Sequence, residues 1–277
     1  MKLGLGLDLR KTLAAGGPIY DTDALTWFAA VEASGANFGP DLTTANTNKM
    51  AWSNWVVAQK NAESPISGKS NWDQLTEDGE AYIQPLMGLS TFDVPAMFGS
   101  STFENFTVDD YDPTTGLRGG SGRGISAVGR RWSSTPSNDV SAVVILTGPP
   151  TTDTSSVSRV IGSQGTSFPE GVLNDGRVNS RSAGSQNTMN LVGISTPRTL
   201  AVSRHTETGF VALNGEVYDF PGSFSSTSLE FVGFLNNRNL DRPTDARIGL
   251  ATYGRSINVE AMNTACIALS EAIVWPT

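Results

Sequence analysis

The sequence predicts an all-β protein, an antiparallel β-sandwich preceded by an irregular arm that contains a short helix. Three observations predict it. From about Glu80 onward, short apolar or alternating runs recur between turn residues, with no helical period between them. The composition is rich in turn formers and polar without being charged, with 29 Gly and 14 Pro in 277 residues and only 17% charged residues. Asn214-Gly215 stands between two apolar runs, and that dipeptide is favoured by tight two-residue hairpins. The change of pattern near residue 80 divides the chain into an N-terminal attachment region, 1–80, and a sandwich, 81–277.

From Met1 to Met50 the pattern is irregular, with Gly16-Gly17-Pro18 and the Thr/Asn-rich DLTTANTNKM at 41–50. One helix fits within it. In TDALTWFAAVEASG, Asp23 is placed to cap the N-terminus, Leu25, Phe28 and Ala29 share a face, and Gly35 can stop the helix. The rest reads as an arm that takes its order from a neighbour. The next segment holds the tripeptide SNW twice, at Ser53–Trp55 and Ser70–Trp72, and three of the six tryptophans: Trp52, Trp55 and Trp72. These form either a sugar-stacking face or part of a core or interface. Burial is the commoner use of large aromatics, and it is the preferred reading.

The strands are read in order as AYIQPLMG, GISAVGRRW, VSAVVILTG, SRVIGS, NLVGIS, TLAVSRH, GFVALNG, EVYDF, LEFVGFL, RIGLATYG and CIALSEAIVW. VSAVVILTG is apolar on both faces and belongs at the centre of a sheet, whereas TLAVSRH alternates and needs burial on one side only. Thr199 to Phe220 reads as three successive strands joined by tight turns.

TLAVSRHTETGFVALNGEVYDF, LEFVGFLNNR, RIGLATYGRS and IALSEAIVW together resemble the laminin-G/concanavalin-A-like lectin domains, especially those of bacteriophage virion proteins such as head and tail fibres. The resemblance covers roughly the last 130 residues, and its motifs mostly encode hairpins. It implies a concanavalin-A-like jelly-roll sandwich, with Glu271 as the glutamate of the closing strand. It also implies a virion structural protein made in the bacterial host cytoplasm. Its partners would be other virion proteins, sister chains in a homotrimer, and host cell-surface glycans. MKLGLGLDLRK likewise resembles the starts of short phage virion proteins.

Catalytic chemistry finds little support in the sequence. The only histidine, His205, lies at a strand end beside a turn, and no G-x-S-x-G elbow accompanies it. One His and one Cys leave a zinc site two ligands short, and GKS at 68–70 lacks the earlier glycine of a phosphate loop, because Glu63 stands there. No strand carries the paired carboxylates of a sandwich glycosidase. The expectation is therefore that the chain is not an enzyme and holds no cofactor. The alternatives kept are a free carbohydrate-binding module and a polysaccharide-cleaving glycosidase.

Calcium is the one metal considered, with Asp109, Asp110 and Asp112 as candidate ligands and Asn236, Asn237, Asp241 and Asp245 as a second group. Asx-turn chemistry uses the same residues and is preferred. Glycan stacking is assigned to Trp52, Trp55, Trp72 and the loop aromatics Tyr111 and Phe224. A net charge of -8 argues against nucleic acid. No run approaches the ~20 apolar residues of a membrane span. Cys266 reads as a small core hydrophobe.

Overall fold

The computed structural model describes residues 18–77, 81–126, 139–148, 159–163, 170–174, 177–182, 185–190, 198–205, 208–213, 216–221, 232–236 and 244–276. Three helices come first: α1 (Thr22–Ala33), α2 (Leu42–Asn61) and α3 (Asn71–Thr76). Then follow β1 (Tyr82–Pro85), β2 (Thr102–Glu104), a 3-10 turn at Val108–Asp110, β3 (Tyr111–Asp112), β4 (Gly116–Arg118) and β5 (Gly124–Ser126). The middle of the chain supplies β6 (Asp139–Gly148), β7 (Arg159–Ser163), β8 (Glu170–Asn174), β9 (Arg177–Ser182) and β10 (Ser185–Asn190). The remainder is β11 (Arg198–His205), β12 (Thr208–Leu213), β13 (Glu216–Pro221), β14 (Val232–Phe234), β15 (Arg247–Gly254) and helix α4 (Val259–Ala272).

The strands form two antiparallel sheets. One runs β13-β12-β11-β6-β15-β4-β3, with β1 also paired to β15; the other runs β10-β9-β8-β7-β14-β5-β2. The expected meander is present, since β11 pairs with β12 from Leu200↔Leu213 to His205↔Thr208, and β12 with β13 from Thr208↔Pro221 to Leu213↔Glu216. The Asn214-Gly215 pair that predicts it lies outside the described residues, as do NLVGIS at 190–195 apart from Asn190, and Phe224, Asn237 and Asp241.

The two faces of β6 explain the layers. Ala142, Val144 and Leu146 turn toward the second sheet and join Leu200, Ile125, Val160, Ile161 and Phe234 in one core. Val143 and Ile145 turn the other way and join Ala201, Leu250 and the helix residues Trp27, Phe28, Trp52, Trp55, Val56, Met262, Cys266 and Leu269. The strand's period of two therefore feeds a β–β core and an α–β core at once. β11 is covered on both faces as well, with Leu200 in the first core and Ala201 in the second, so its alternation does not leave one side to solvent.

Over residues 18–77 the expected irregular arm is replaced by a helical layer; the rest of the arm, with MKLGLGLDLRK, lies outside the described residues. α1 is capped by Asp21, whose side chain accepts from the Asp23 amide, rather than by Asp23. Its buried face is Ala24, Trp27, Phe28 and Val31, while Leu25 is 38% exposed; Gly35 ends the helix at φ +87° as expected. The Thr/Asn-rich stretch is the first half of α2, started by the Asp41 carboxylate on the Thr44 amide. Its propensity is poor, and burial supplies what propensity lacks. Asn48, fully buried, donates to the carbonyls of Phe38 and Val274 at 2.7 and 2.8 Å and accepts from the Val274 amide at 2.9 Å, tying α2 to the segment after α4.

A second correction concerns CIALSEAIVW, expected as the closing strand. Its residues 266–272 are the end of α4 and 273–275 follow it; in α4 Val259, Met262, Cys266 and Leu269 recur at helical spacing on the buried side and the Asn258 side chain caps the start. Glu271 is consequently an exposed helix residue and not the glutamate of a strand. Among the described residues no helix is long and apolar enough to cross a membrane.

Candidate functional site: a polar cleft beside Trp72

The aromatic candidates are distributed through the interior. Trp52 is 0% and Trp55 2% exposed, in edge-to-face contact with each other at 6.2 Å, and Trp52 meets Trp27 at 5.6 Å. Both rings are enclosed by the α–β core, so the stacking role assigned to Trp52 and Trp55 is corrected to core packing. Tyr111 is half-buried and donates through its hydroxyl to the Leu89 carbonyl at 2.8 Å; burial pushes its phenol well above the ordinary value. It belongs to an aromatic cluster with Phe92, at 5.9 Å, and does not stand free on a loop.

Two of the acidic candidates, Asp110 and Asp112, are occupied by turn chemistry, while Asp109 is an exposed residue of the 3-10 turn. Asp110 accepts from the Thr107 amide and hydroxyl at 2.9 and 3.0 Å, as the far end of a capping box, and its other oxygen pairs with Arg123 at 2.9 Å. Asp112 accepts from the amides of Thr114 and Thr115 at 2.9 and 2.8 Å, an Asx turn. Burial opposes the charge on Asp112, but these hydrogen bonds and the nearby Arg247 outweigh it and hold the carboxyl below its usual range. In the second group, Asn236 donates to the Arg123 carbonyl and Asp245 pairs with Arg118.

His205 is half-buried at the end of β11, opposite Asp139 in the register. Ser203, on the same face, is 1% exposed and bound through its hydroxyl to the Ile257 backbone at 3.0 and 3.2 Å. Asp139 holds the Ser256 amide and hydroxyl and Arg255. Ser203 and Asp139 thus fasten the sheet to the entrance of α4, and the serine is closed to substrate.

Trp72 has a different setting. It is 9% exposed and lines an open cleft of about 750 Å³ between the start of α1, the end of α2 and the start of α3. The sequence builds the cleft locally. The chain leaves α2 at Ala62, folds back so that Glu63 bridges Ser70, and enters α3 through a reciprocal capping box of Ser70 and Asp73. Asn61, Glu63, Lys69, Asp73 and Thr76 thereby line one cleft with Trp72, Asp23 and Lys60.

The electrostatics are set by carboxylates that outnumber ammonium groups. The Lys60 ammonium lies 2.9 Å from both Asp21 oxygens and 2.7 Å from Asp23, and 5.7 Å over the Trp72 ring. Partial burial works against the Lys60 charge, but the Asp23 and Asp21 carboxylates outweigh it and raise its pKa above the ordinary value. Asp21 moves oppositely, since the Lys60 and Asp23 hydrogen bonds overcome burial and hold it low. Hydrogen bonds from the Ser70 amide and hydroxyl likewise keep Asp73 below the usual carboxylate range. Lys69 pairs with Glu77. Glu63 is exposed and forms no ion pair among the described residues. Such a cleft offers hydroxyl groups many acceptors and a few donors, with Trp72, packed on Trp55 in the helical core, as part of its wall.

Of the residues assigned a binding role from sequence, only Trp72 lines this site; Asp23, read as a helix cap, and Glu63, Gly68, Lys69 and Ser70, weighed and set aside as a phosphate loop, line it as well. Lys60, Glu63 and Asp73 carry no motif, and the one signal for them was the Ser-x-x-Asp spacing of a capping box at Ser70 and Asp73.

No protein-family model matches the sequence, and no curated protein matches it. Solved structures do. The sialidase of Trypanosoma rangeli in complex with sialic acid is similar over 85% of this chain and 40% of its own, with TM-score 0.50 and 10% identity. The binding domain of botulinum neurotoxin DC in complex with SialylT is similar over 69% of this chain and 52% of its own, with TM-score 0.50 and 10% identity. Domain 4 of AbnA, a GH43 extracellular arabinanase from Geobacillus stearothermophilus in complex with arabinotriose, is similar over 67% and 87% with TM-score 0.39 and 15% identity. The chain thus spans less than half of the sialidase and about half of the toxin domain. At these identities the shared property is the fold, the antiparallel β-sandwich.

One expectation is overturned by these likenesses, that the chain is not an enzyme. The structures that share its sandwich include a sialidase, so neither the fold nor the want of a linear catalytic motif sets the chain apart from glycosidases. The β-sandwich part of the lectin resemblance is supported by the likenesses, while the phage setting rests on the sequence alone.

Proposed function

We propose that this chain is a glycan-binding β-sandwich module that serves a phage particle in attachment to host-surface sugars, assembled as a homotrimer with other virion proteins. The observation that carries the glycan reading is the cleft at Trp72, where carboxylates, an amide and hydroxyls line one open wall together with the tryptophan. Sugars are held in this way, by hydrogen bonds to their hydroxyls and by contact of their C–H faces with an aromatic ring. Two of the solved structures with this fold, the sialidase and the toxin's binding domain, are complexes with sialic acid and with SialylT. The phage setting is supported by the resemblance of TLAVSRHTETGFVALNGEVYDF and RIGLATYGRS to lectin-like virion domains.

Calorimetry against a panel of neutral, amino and acidic oligosaccharides tests the binding. At least one class should bind, and Trp72→Ala should weaken it about tenfold or more, as expected for a lost aromatic contact in a binding site. Because Trp72 also packs on Trp55 at 6.4 Å, the exposed Asn61→Ala provides a second variant whose fold is not at risk. Unchanged affinity in both variants, with folding intact, removes the cleft from the function. Mass spectrometry of purified particles tests the setting, and absence of the chain from them ends the virion reading.

A further inference from the structure

Building on the glycan reading, we infer that the Trp72 cleft selects sugars bearing a protonated amine over neutral ones, and excludes acidic sugars such as sialic acid. Charge balance within the cleft is the reason. Both lysines of its walls are already neutralised from within, Lys60 by Asp21 and Asp23 and Lys69 by Glu77. No ammonium remains to receive a ligand carboxylate. Glu63, exposed and without an ion pair among the described residues, is the surplus charge of the lining, and Asp73, held by Ser70, adds to the negative side.

Lys60 sets an ammonium over the Trp72 ring and between the Asp23 and Asp21 carboxylates, and these carboxylates favour its charged form despite partial burial. A ligand amine entering the cleft meets the exposed Glu63 carboxylate, which forms no ion pair among the described residues. An acidic sugar brings its charge toward Glu63 and Asp73 with nothing to pair it, which is the arrangement that discriminates against a wrong partner. The overall charge of -8 works in the same direction at long range and at low salt.

The test compares three probes on the intact chain at 20 mM and 300 mM salt: a glucosamine tetramer, its N-acetylated counterpart, and sialyllactose. We expect the amine form to bind about fivefold tighter than the acetylated form at low salt, the size of one exposed ion pair. The ratio should shrink toward one at high salt, and sialyllactose should be the weakest. In Glu63→Gln the ratio should fall to about one, and in Glu63→Lys it should reverse in favour of sialyllactose. If the acetylated or the sialylated probe binds as well as the amine form to the natural chain, this inference is overturned while the glycan reading stands. If none of the three binds, the glycan reading itself fails and takes the inference with it.

Discussion

Cys266 shows how a single side chain reports its surroundings. The thiol is fully buried on α4, 3.6 Å from the Met262 sulfur, and burial pushes its pKa up to about 12, against weaker opposing contacts from Trp55 and Thr199. The folded chain therefore keeps this proton where the unfolded chain releases it. The sign follows: the contribution is fully present below pH 9 and is lost as pH rises from there toward 12, on the order of 4 kcal/mol across that window. Denaturant melts at pH 8, 9.5 and 11 should show the decline, and Cys266→Ala should flatten it. A thiol reagent at pH 8 should label Cys266 only after unfolding; rapid labelling of the native protein contradicts the burial. The role of a core hydrophobe was legible in the sequence from the apolar run around Cys266, but its helical neighbours were not.

Among the elements, the tight return from β3 to β4 is the most constrained. Gly116 has φ +83°, and a Cβ there would lie 2.1 Å from the Ile248 carbonyl oxygen, a backbone atom of β15 that cannot move aside. Gly116→Ala should cost about 3 kcal/mol or more, from left-handed strain together with the clash. A thermal melt shifted by less than 2 °C would show that the return is looser than this. The elements read from sequence were those with a clean period or an apolar run between turn residues: β1, β5, β6, β7, β14, β15 and the β11–β13 meander. β8, β9 and β10 were missed because EGVLN, RVNSRS and SQNTMN are too polar to resemble strands, and backbone pairing rather than side-chain pattern defines them. α2 was missed because Thr and Asn fill its first turns, and α4 because CIAL mimics alternation over too short a window. The site fared similarly: Trp72 was among the aromatics named, whereas Lys60, Glu63 and Asp73 are brought together by the return of the chain from α2 to α3 and share no spacing that announces it.

For the molecule as a whole, the decisive arrangement is that one sheet is shared by two cores. Trp52 donates to the Met87 carbonyl at 3.2 Å and lies in one cluster with Val143, Ile145 and Leu250, so the helices before residue 80 complete the sheet after it. A chain beginning at residue 81 should leave that apolar face uncovered, and such faces drive association. We expect the fragment 81–277 to be aggregation-prone or to bind a hydrophobic dye, while the full chain melts in one transition. A soluble, dye-silent fragment with the same melting point as the full chain would falsify the shared-core account.

The Asn48 contacts to Val274 join residues 226 positions apart, and β6, which ends at Gly148, pairs with β15, which begins only at Arg247. During synthesis the tryptophan-bearing helices emerge long before the strand and helix that enclose them. Their apolar sides must wait through most of translation, and closing such distant pairs is slow. The same stitch that gives the finished molecule its rigidity makes the nascent chain a client for chaperones, whose need is greatest just before β15 and α4 leave the ribosome.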